Sequence, residues 1–158
     1  MLEVAGGSGE PVEEIEGDLD IEYRYAYGEY YDRFYREMRD NRRIMGVACA
    51  RCRCVLLPPR PYCGFCYEPV DRWVELADEG TVQTFTNVHL PFPGQPTEPP
   101  YIYAFIMLDG AAVQFPHLLG EVDPARVRVG MRVKAVWAED RKGTLHDIEY
   151  FRPVENEL

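Results

Sequence analysis

The second half of the chain alternates between short apolar segments and turns. From Thr81 to His89 the pattern has a period of two, which predicts Val82, Thr84, Thr86 and Val88 on one face of a strand. Predicted strands cover residues 81–89, 101–108, 111–115, 131–138 and 144–151, with a proline-rich loop at 91–100. Five strands with one long loop predict a small closed barrel, most economically an OB-fold. An open five-stranded sheet would show much the same pattern.

The segment 21–45 has a helical pattern instead. Its apolar positions fall near helical spacing at Tyr23, Tyr27, Tyr30, Phe34 and Met38. Gly28 lowers helix stability by about 1 kcal/mol relative to alanine. A break in the helix, or two short helices, is therefore the alternative to one continuous helix. An aromatic stripe of this kind usually packs in a core, but part of it is a candidate to meet a partner protein.

Four cysteines form two C-x-x-C pairs, and they are the strongest chemical signal in the chain. The ligand candidates are Cys49, Cys52, Cys63 and Cys66. Four thiolates at tetrahedral corners suit Zn²⁺ and leave no position open for water or substrate, so the predicted role of the metal is structural. Two disulfides or free core thiols are the alternative. The fifth cysteine, Cys54, is predicted to be a spare thiol.

These patterns predict a mainly β protein with N-terminal helices. A disordered acidic leader is expected at 1–19, a helical segment at 20–45, a rubredoxin-like zinc ribbon at 46–70, and a five-stranded OB-fold barrel at 71–158. The ribbon has almost no core of its own, so its folding is expected to depend on the metal.

Composition narrows the functional classes. The chain has 17 basic and 27 acidic side chains and a net charge of -10, which opposes a nucleic-acid-binding role. No apolar run reaches the roughly 18 residues of a membrane span, and the acidic N-terminus lacks the features of a signal peptide. Paired thiols without an export signal predict a reducing cytoplasm.

No catalytic set stands out in the sequence. The three histidines, His89, His117 and His146, form no metal-binding or catalytic motif, and the one serine, Ser8, lies in the leader. The glycine-rich motifs that bind phosphate between a strand and a helix are also absent. The sequence therefore predicts a protein without catalytic activity of its own.

An ordered series of motifs resembles a known family, the zinc-ribbon/OB-fold acyl-CoA-associated proteins catalogued as domain of unknown function thirty-five. The resemblance spans about residues 20–155. It rests on Cys49-Ala-Arg-Cys52, Leu57-Pro-Pro-Arg60, Cys63-Gly-Phe-Cys66, Trp73, Gly80-Thr-Val82 and Val129-Gly-Met-Arg-Val133. The chain departs from the family at Arg53, where glycine is usual, and at Gly64, where proline is common.

The resemblance implies a role as well as a fold. Family members are typically non-catalytic accessory subunits of thiolase-fold enzymes that act on coenzyme A thioesters, and the partner supplies the catalytic residues. Thiolysis of a β-ketoacyl-CoA in a catabolic pathway is the reaction expected here, because the segment 39–46 resembles thiolase-associated members. Retro-aldol cleavage of steroid side chains by a thiolase-like aldolase is the alternative. A two-plus-two heterotetramer with acyl-CoA at or near the interface would follow.

Two groups of residues are candidates for contacts in such a complex. Arginines on the ribbon, Arg51, Arg53 and Arg60, are expected to contact either the phosphates of coenzyme A or acidic groups on the partner. Aromatic residues near the long loop, Phe92, Tyr101 and Tyr103, are candidates to line an acyl path.

Two other classes of protein compete with this interpretation. A single-stranded nucleic-acid-binding OB module is opposed by the net charge and by the scarcity of lysines, which occur at Lys134 and Lys142. A rubredoxin-like electron carrier would hold iron at the four thiolates. Colour separates the two metals, because an iron protein would be red and a zinc protein colourless.

Overall fold

The computed structural model of the protein describes Gly17, residues 22–95 and residues 97–154. The predicted acidic leader, apart from Gly17, lies outside the described residues. None of the helices in the described ranges is long and apolar enough to cross a membrane.

One α-helix precedes eight strands in the described part of the chain. The elements are α1 (Gly28–Asn41), β1 (Ile44–Cys49), β2 (Cys54–Leu56), β3 (Arg72–Leu76), β4 (Glu79–Val88), β5 (Tyr101–Leu108), β6 (Phe115–Leu119), β7 (Arg132–Trp137) and β8 (Ile148–Pro153). Short 3₁₀ helices, η1 and η2, lie at Pro124–Arg126 and Leu145–Asp147.

The helical segment forms a single helix, which Gly28 begins. Gly28 has a φ of 81°, a left-handed conformation that glycine adopts without a steric penalty. On the inner face of α1, Phe34 and Met38 are fully buried. The Tyr30 hydroxyl donates a hydrogen bond to the Val70 carbonyl at 2.7 Å. The part of the aromatic stripe that lies in the helix therefore packs within the protein, whereas Tyr23 and Tyr27 precede the helix and are 76% and 49% exposed.

A three-stranded antiparallel sheet carries the ribbon, in the order β2-β1-β3. In the middle strand, Val47 pairs with Leu56 on one side and with Trp73 on the other. A Cβ at Gly46 would lie 2.6 Å from a Val55 methyl, so only glycine fits between these strands. Because β3 belongs to this sheet, the sheet continues past residue 70, where the sequence placed the end of the ribbon.

Five strands form a closed barrel in the order β4-β5-β6-β8-β7. Pairing of β4 with β7 closes the barrel, and β6 runs parallel to β8 at Leu119 and Phe151. Five strands in this order give the partly Greek-key barrel of an OB-fold. The predicted fold class is confirmed, and the open sheet is excluded.

The predicted alternation in β4 is wrong, because the strand contains a β-bulge. The register shifts between Val82 and Thr84, which inserts one extra residue into β4 relative to β5. Val82 is fully buried in the barrel. Beyond the bulge, Thr86 pairs with Tyr103 and is exposed. Thr84, Thr86 and Val88 therefore lie on the outer face, opposite to Val82.

Two strands also begin later than predicted. Residues 111–114 turn toward the ribbon, where the Ala112 N–H donates to the Val55 carbonyl at 2.9 Å, and the strand expected there starts at Phe115. Similarly, Thr144 caps η2 by accepting a hydrogen bond from the His146 N–H, so the last strand starts at Ile148. In both places a local contact replaces strand pairing.

The helix, the inner side of the ribbon and the barrel share one apolar core. Phe34 from α1, Leu57 from the ribbon and Ile106 from the barrel all belong to it. A second, smaller cluster surrounds the cysteines and contains Val47, Cys49, Leu56, Cys63 and Val70. The ribbon thus contributes to the main core and also has a small core around the cysteines, against which Val113 of the β5–β6 connection packs.

Candidate metal centre and binding surfaces

Two tight turns present the four cysteines. Cys49 ends β1, and Cys52 lies in the turn that leads into β2. The second turn is closed by two backbone hydrogen bonds, from the Cys63 N–H to the Glu68 carbonyl at 2.9 Å and from the Tyr67 N–H to the Cys63 carbonyl at 3.0 Å. Both turns thus direct their sulfur atoms toward one point.

The sulfur atoms have the spacing of a tetrahedral metal site. All four Sγ atoms lie within 4.8 Å of one another. The Cys49–Cys66 distance is 3.6 Å and the Cys52–Cys63 distance is 3.9 Å. Tetrahedral ligands about 2.3 Å from zinc lie about 3.8 Å apart, whereas a disulfide needs about 2.05 Å. All five cysteines are free, so the disulfide alternative is wrong and the four residues fit a metal ion.

Hydrogen bonds from the turns favour thiolates at this site. The Cys52 N–H donates to Cys49 Sγ at 3.4 Å, and the Phe65 N–H donates to Cys63 Sγ at 3.5 Å. The second of these bonds is the main reason that the pKa of Cys63 falls to about 6. The pKa of Cys52 is raised, first by its hydrogen bond with Cys66. The hydrogen bonds from the second turn therefore favour a thiolate at Cys63, which is the form of cysteine that binds a metal cation.

The fifth cysteine is not part of this group. Cys54 is partly buried at the start of β2, and burial raises the pKa of its thiol. It packs against the small cluster around the cysteines. The position is that of a packed thiol beside the four ligands.

Both turns use a left-handed residue directly after their second cysteine. Arg53 has a φ of 54° and Tyr67 has a φ of 61°. This conformation costs a non-glycine residue about 1 kcal/mol or more. It explains why glycine is usual at the Arg53 position, and it shows that the turn is kept despite the substitution. At Gly64, the side chain of Arg60 occupies the adjacent space, with Nη1 3.5 Å from where a Cβ would lie.

The arginines differ in how far acidic groups neutralise them. Within the described residues, Arg36, Arg39, Arg43 and Arg51 pair with Asp32, Asp40, Glu75 and Glu68, respectively. Arg33 lies over the Trp73 ring, 4.4 Å from its centroid. Of the three candidate contact residues, Arg53 and Arg60 have no ion pair with the described acidic residues, and both are exposed.

The three aromatic candidates line one cavity of about 480 Å³. Tyr101 and Tyr103 lie on the outer face of β5, and Phe92 comes from the β4–β5 loop. The other lining residues are Thr86, Val88, Gly94, Pro116, His117, Leu118, Leu145 and His146, none of which is acidic, a lysine or an arginine. OB-folds bind ligands on the face of their second and third strands, which are β5 and β6 here. The ligand lies between the two loops that correspond to the β4–β5 and β7–β8 loops. The bulge in β4, which turns Thr86 and Val88 outward, had no clear signal in the sequence.

The histidines do not form a catalytic group. His117 is buried in the barrel and stacks on Phe115, with ring centroids 5.7 Å apart, and its Nε2 lies 3.2 Å from the Leu145 carbonyl. Burial lowers its pKa. His89 and His146 are exposed. Among the described residues, no hydrogen bond joins a histidine ring to a serine, a cysteine or a carboxylate.

Comparison with known proteins identifies the barrel. A family model described as the C-terminal OB-fold domain of ChsH2 matches residues 73–138. The chain is 29% identical over 132 residues to a DUF35 domain-containing scaffold protein of Methanocaldococcus jannaschii, a match that covers 78% of this chain and 91% of the relative. It is 32% identical over 122 residues to a probable enoyl-CoA hydratase alpha subunit of Thermomonospora curvata, covering 77% of this chain but 37% of that protein.

Two solved structures resemble the whole described fold. One is the Ltp2-ChsH2(DUF35) aldolase, with a TM-score of 0.61 and 28% identity, covering 82% of this chain and 98% of the matched chain. The other is a DUF35 family protein of unknown function from Sulfolobus solfataricus, with a TM-score of 0.59 and 21% identity. This match covers 80% of this chain and 84% of the matched chain. The second likeness concerns the fold alone. Together, these comparisons show that the chain resembles the DUF35 proteins and that its residues 73–138 match the family model of the C-terminal OB-fold domain of ChsH2.

Proposed function

We propose that this protein is a non-catalytic accessory subunit of a thiolase-fold enzyme that acts on acyl-CoA thioesters. One observation carries the proposal. The chain aligns with 98% of the matched chain in the Ltp2-ChsH2(DUF35) aldolase, at 28% identity and a TM-score of 0.61. The match covers 82% of this chain and so takes in both ribbon and barrel.

The names of the relatives support the two halves of this proposal. The Methanocaldococcus relative is called a scaffold protein, which is a non-catalytic role. The Thermomonospora relative is named for an enoyl-CoA substrate, and this chain matches about a third of it. The histidines of this chain also lack hydrogen-bonded catalytic partners among the described residues. An accessory role near a coenzyme A thioester accommodates all three observations.

Two reactions are candidates for the complex. Thiolysis of a β-ketoacyl-CoA follows from the resemblance of the segment 39–46 to thiolase-associated proteins. Retro-aldol cleavage of steroid side chains is the second candidate, and the likeness to an aldolase complex favours it. The catalytic subunit determines which reaction occurs, so identifying that subunit separates the two.

We propose that the four cysteines hold a structural Zn²⁺. The site consists of Cys49, Cys52, Cys63 and Cys66, and four protein ligands leave no position for substrate. Metal analysis of the purified protein tests this assignment directly. One zinc per chain in a colourless protein supports it, whereas a red protein with iron would support an electron carrier.

The complex is expected to be a two-plus-two heterotetramer in the cytoplasm, with acyl-CoA at or near the interface. Paired thiols at a metal site are typical of a reducing compartment. We propose the cavity at Phe92, Tyr101 and Tyr103 as part of the acyl path, because its lining residues are mainly apolar. Neither nucleic acid nor a membrane is an expected partner.

Affinity purification from an extract of the native organism tests the proposed function. A thiolase-fold protein in stoichiometric amount with the tagged wild-type chain is the expected result. A Cys63→Ser variant serves as the matched control, because loss of one ligand should disorder the ribbon and abolish the association. Recovery of nucleic acid, or of no thiolase-fold protein, would contradict the proposal.

A further inference from the structure

The ribbon exposes three aromatic rings around its second pair of cysteines. Tyr62, Phe65 and Tyr67 are 59%, 61% and 80% exposed, although they occur within six residues of one another. Clustered exposed aromatic rings are uncommon on a surface that contacts only water, and they mark binding sites. The ribbon core does not need these rings, because its buried cluster consists of other residues.

Two arginines that have no ion pair among the described residues lie beside the same cysteines. Arg53 directly follows the ligand Cys52, and Phe65 and Tyr67 flank the ligand Cys66. Because the four ligand sulfur atoms lie within 4.8 Å of one another, residues adjacent to the ligands are also close in space. The Arg60 guanidinium lies beside Gly64, the neighbour of Phe65. We call the surface formed by Arg53, Arg60, Tyr62, Phe65 and Tyr67 the ribbon tip.

The charge of the ribbon tip is opposite to that of the rest of the chain. Residues 50–67 contain Arg51, Arg53 and Arg60 and no acidic residue, whereas the whole chain has a net charge of -10. The nearest acid, Glu68, pairs with Arg51 at 2.9 Å. Arg53 and Arg60 have no such pair within the described residues, so the described part of the ribbon tip places two positive charges beside apolar rings.

This combination suits a protein partner better than a nucleic acid. Tyrosine and arginine are the residues that most often dominate the energy of protein interfaces, and a few of them suffice. Nucleic-acid affinity instead grows with the number of neutralised phosphates. Two free arginines on a strongly acidic chain provide few such contacts. Charge complementarity therefore indicates a partner surface with acidic groups around an apolar depression.

We propose that the ribbon tip is the principal surface by which this subunit binds its catalytic partner, which presents an acidic, partly apolar site. The inference rests on the proposed function and deepens it, because it assigns the partner to one end of the molecule. The barrel face with Phe92, Tyr101 and Tyr103 then remains open toward the substrate. The arginines of the ribbon contact protein rather than coenzyme A phosphates.

Binding affinities measured with separately purified subunits test this assignment. The partner is the thiolase-fold protein recovered by affinity purification, and the variants are Phe65→Ser/Tyr67→Ser and Arg53→Glu/Arg60→Glu. Each pair of substitutions is expected to raise the dissociation constant about 30-fold or more, as at interface hot spots. Rising salt should weaken binding of the wild type, because it screens the attraction of arginine to acidic groups, but it should not weaken binding of the charge variant, whose glutamates repel those groups.

Matched control variants lie on the barrel. Leu90→Ser/Val129→Ser removes two apolar side chains that are 79% and 64% exposed. Arg126→Glu reverses an exposed charge in η1. Both controls are expected to change the dissociation constant by less than about 3-fold, as for most surface positions outside a hot spot. Metal content and thermal unfolding of every variant should match those of the wild type, since the substituted side chains are exposed.

The possible outcomes distinguish this inference from the proposed function. If wild-type protein binds the thiolase-fold subunit but ribbon-tip variants bind equally well, the inference is overturned and the proposed function stands. Equal losses in the barrel controls would also overturn it. A loss confined to binding of coenzyme A or single-stranded oligodeoxythymidylate would assign the ribbon tip to a phosphate ligand instead. If the wild type binds no thiolase-fold subunit, both proposals fail.

Discussion

The ribbon and the barrel are stabilised in different ways. The barrel closes around large apolar side chains such as Ile106, Phe115 and Phe151, all of which are almost completely buried. The small cluster of the ribbon includes two of the proposed metal ligands, Cys49 and Cys63. A segment with so few buried side chains must obtain its stability from elsewhere. We therefore expect the cysteine-bearing part of the ribbon to depend on the proposed metal, although its inner side shares the core of the barrel.

Removal of the metal is expected to have the largest effect on this contrast. Structural zinc sites contribute about 10 kcal/mol or more of apparent folding free energy. Chelation, or the Cys49→Ser substitution, should therefore disorder residues 46–69 while β5 and β8 keep their structure. Hydrogen exchange resolved by residue measures both regions in one sample. A metal-free ribbon with native protection would show that the two modules do not differ as described.

Truncation of the shared core should instead affect both modules together. Phe34 is fully buried and belongs to the cluster that joins α1, the ribbon and the barrel. Phe34→Ala is expected to lower the free energy of unfolding by about 3–5 kcal/mol, through lost burial and a residual cavity. Denaturant unfolding with the metal bound measures this change. Truncation of the exposed Phe92 is the control and should cost far less.

A buried carboxylate stabilises the barrel where it contacts the helix. Asp147 is 1% exposed and accepts hydrogen bonds from the backbone N–H groups of Lys142 and Gly143. In the same loop, Arg141 donates to the Arg39 carbonyl at the end of α1. Asp147→Asn places an amide NH₂ group where only hydrogen-bond acceptors fit. The free energy of unfolding is expected to fall by about 1–3 kcal/mol. Thermal unfolding should show this loss with metal retention unchanged.

The buried histidine makes the barrel sensitive to acid. Because burial lowers the pKa of His117, the unfolded chain binds this proton first as the pH falls below about 6.5. The free energy of unfolding is therefore expected to decrease from pH 7 to pH 5, by at most about 1.4 kcal/mol per pH unit. His117→Gln should flatten this dependence, whereas His146→Gln, at an exposed position, should leave it unchanged. Identical pH profiles for all three proteins would refute the assignment.

The smallest expected effect is a gain in the stability of the metal-bound ribbon. Arg53 adopts a left-handed conformation that glycine reaches without a steric penalty. Arg53→Gly is expected to stabilise the metal-bound ribbon by about 1 kcal/mol or less, since the lost strain is partly offset by chain entropy. Competition for zinc with a chelator of known affinity detects such a change. A lower zinc affinity in the variant would contradict the strain argument.

The sequence predicted the local features of this molecule better than the long-range ones. Spacing alone places Cys49 and Cys52 on one turn, so the sequence was enough to predict that the four cysteines lie together. The bulge at Gln83 did not, because residues 81–89 alternate as an unbroken strand would and the extra residue is defined by pairing with β5. Likewise, nothing near Tyr30 in the sequence indicates that its ring stacks on Trp73.

The candidate surfaces show the same division. Phe92, Tyr101 and Tyr103 were predicted together because they surround one loop in the sequence. The remaining walls of their cavity come from β4, β6 and the β7–β8 loop, which only the closed barrel brings together. Ion pairing of the arginines also depends on distant residues, as in the pair between Arg51 and Glu68. The sequence named three arginines on the ribbon. The fold showed that two of them, Arg53 and Arg60, have no ion pair with the described acidic residues.

Steady-state turnover tests the central claim most directly. Cleavage of acyl-CoA thioesters is measured for this chain alone, for its thiolase-fold partner alone and for mixtures of the two. An accessory subunit predicts no turnover by the chain alone and a maximal rate when the two proteins are equimolar. Turnover by the isolated chain, or a partner rate that does not respond to its addition, would contradict the account.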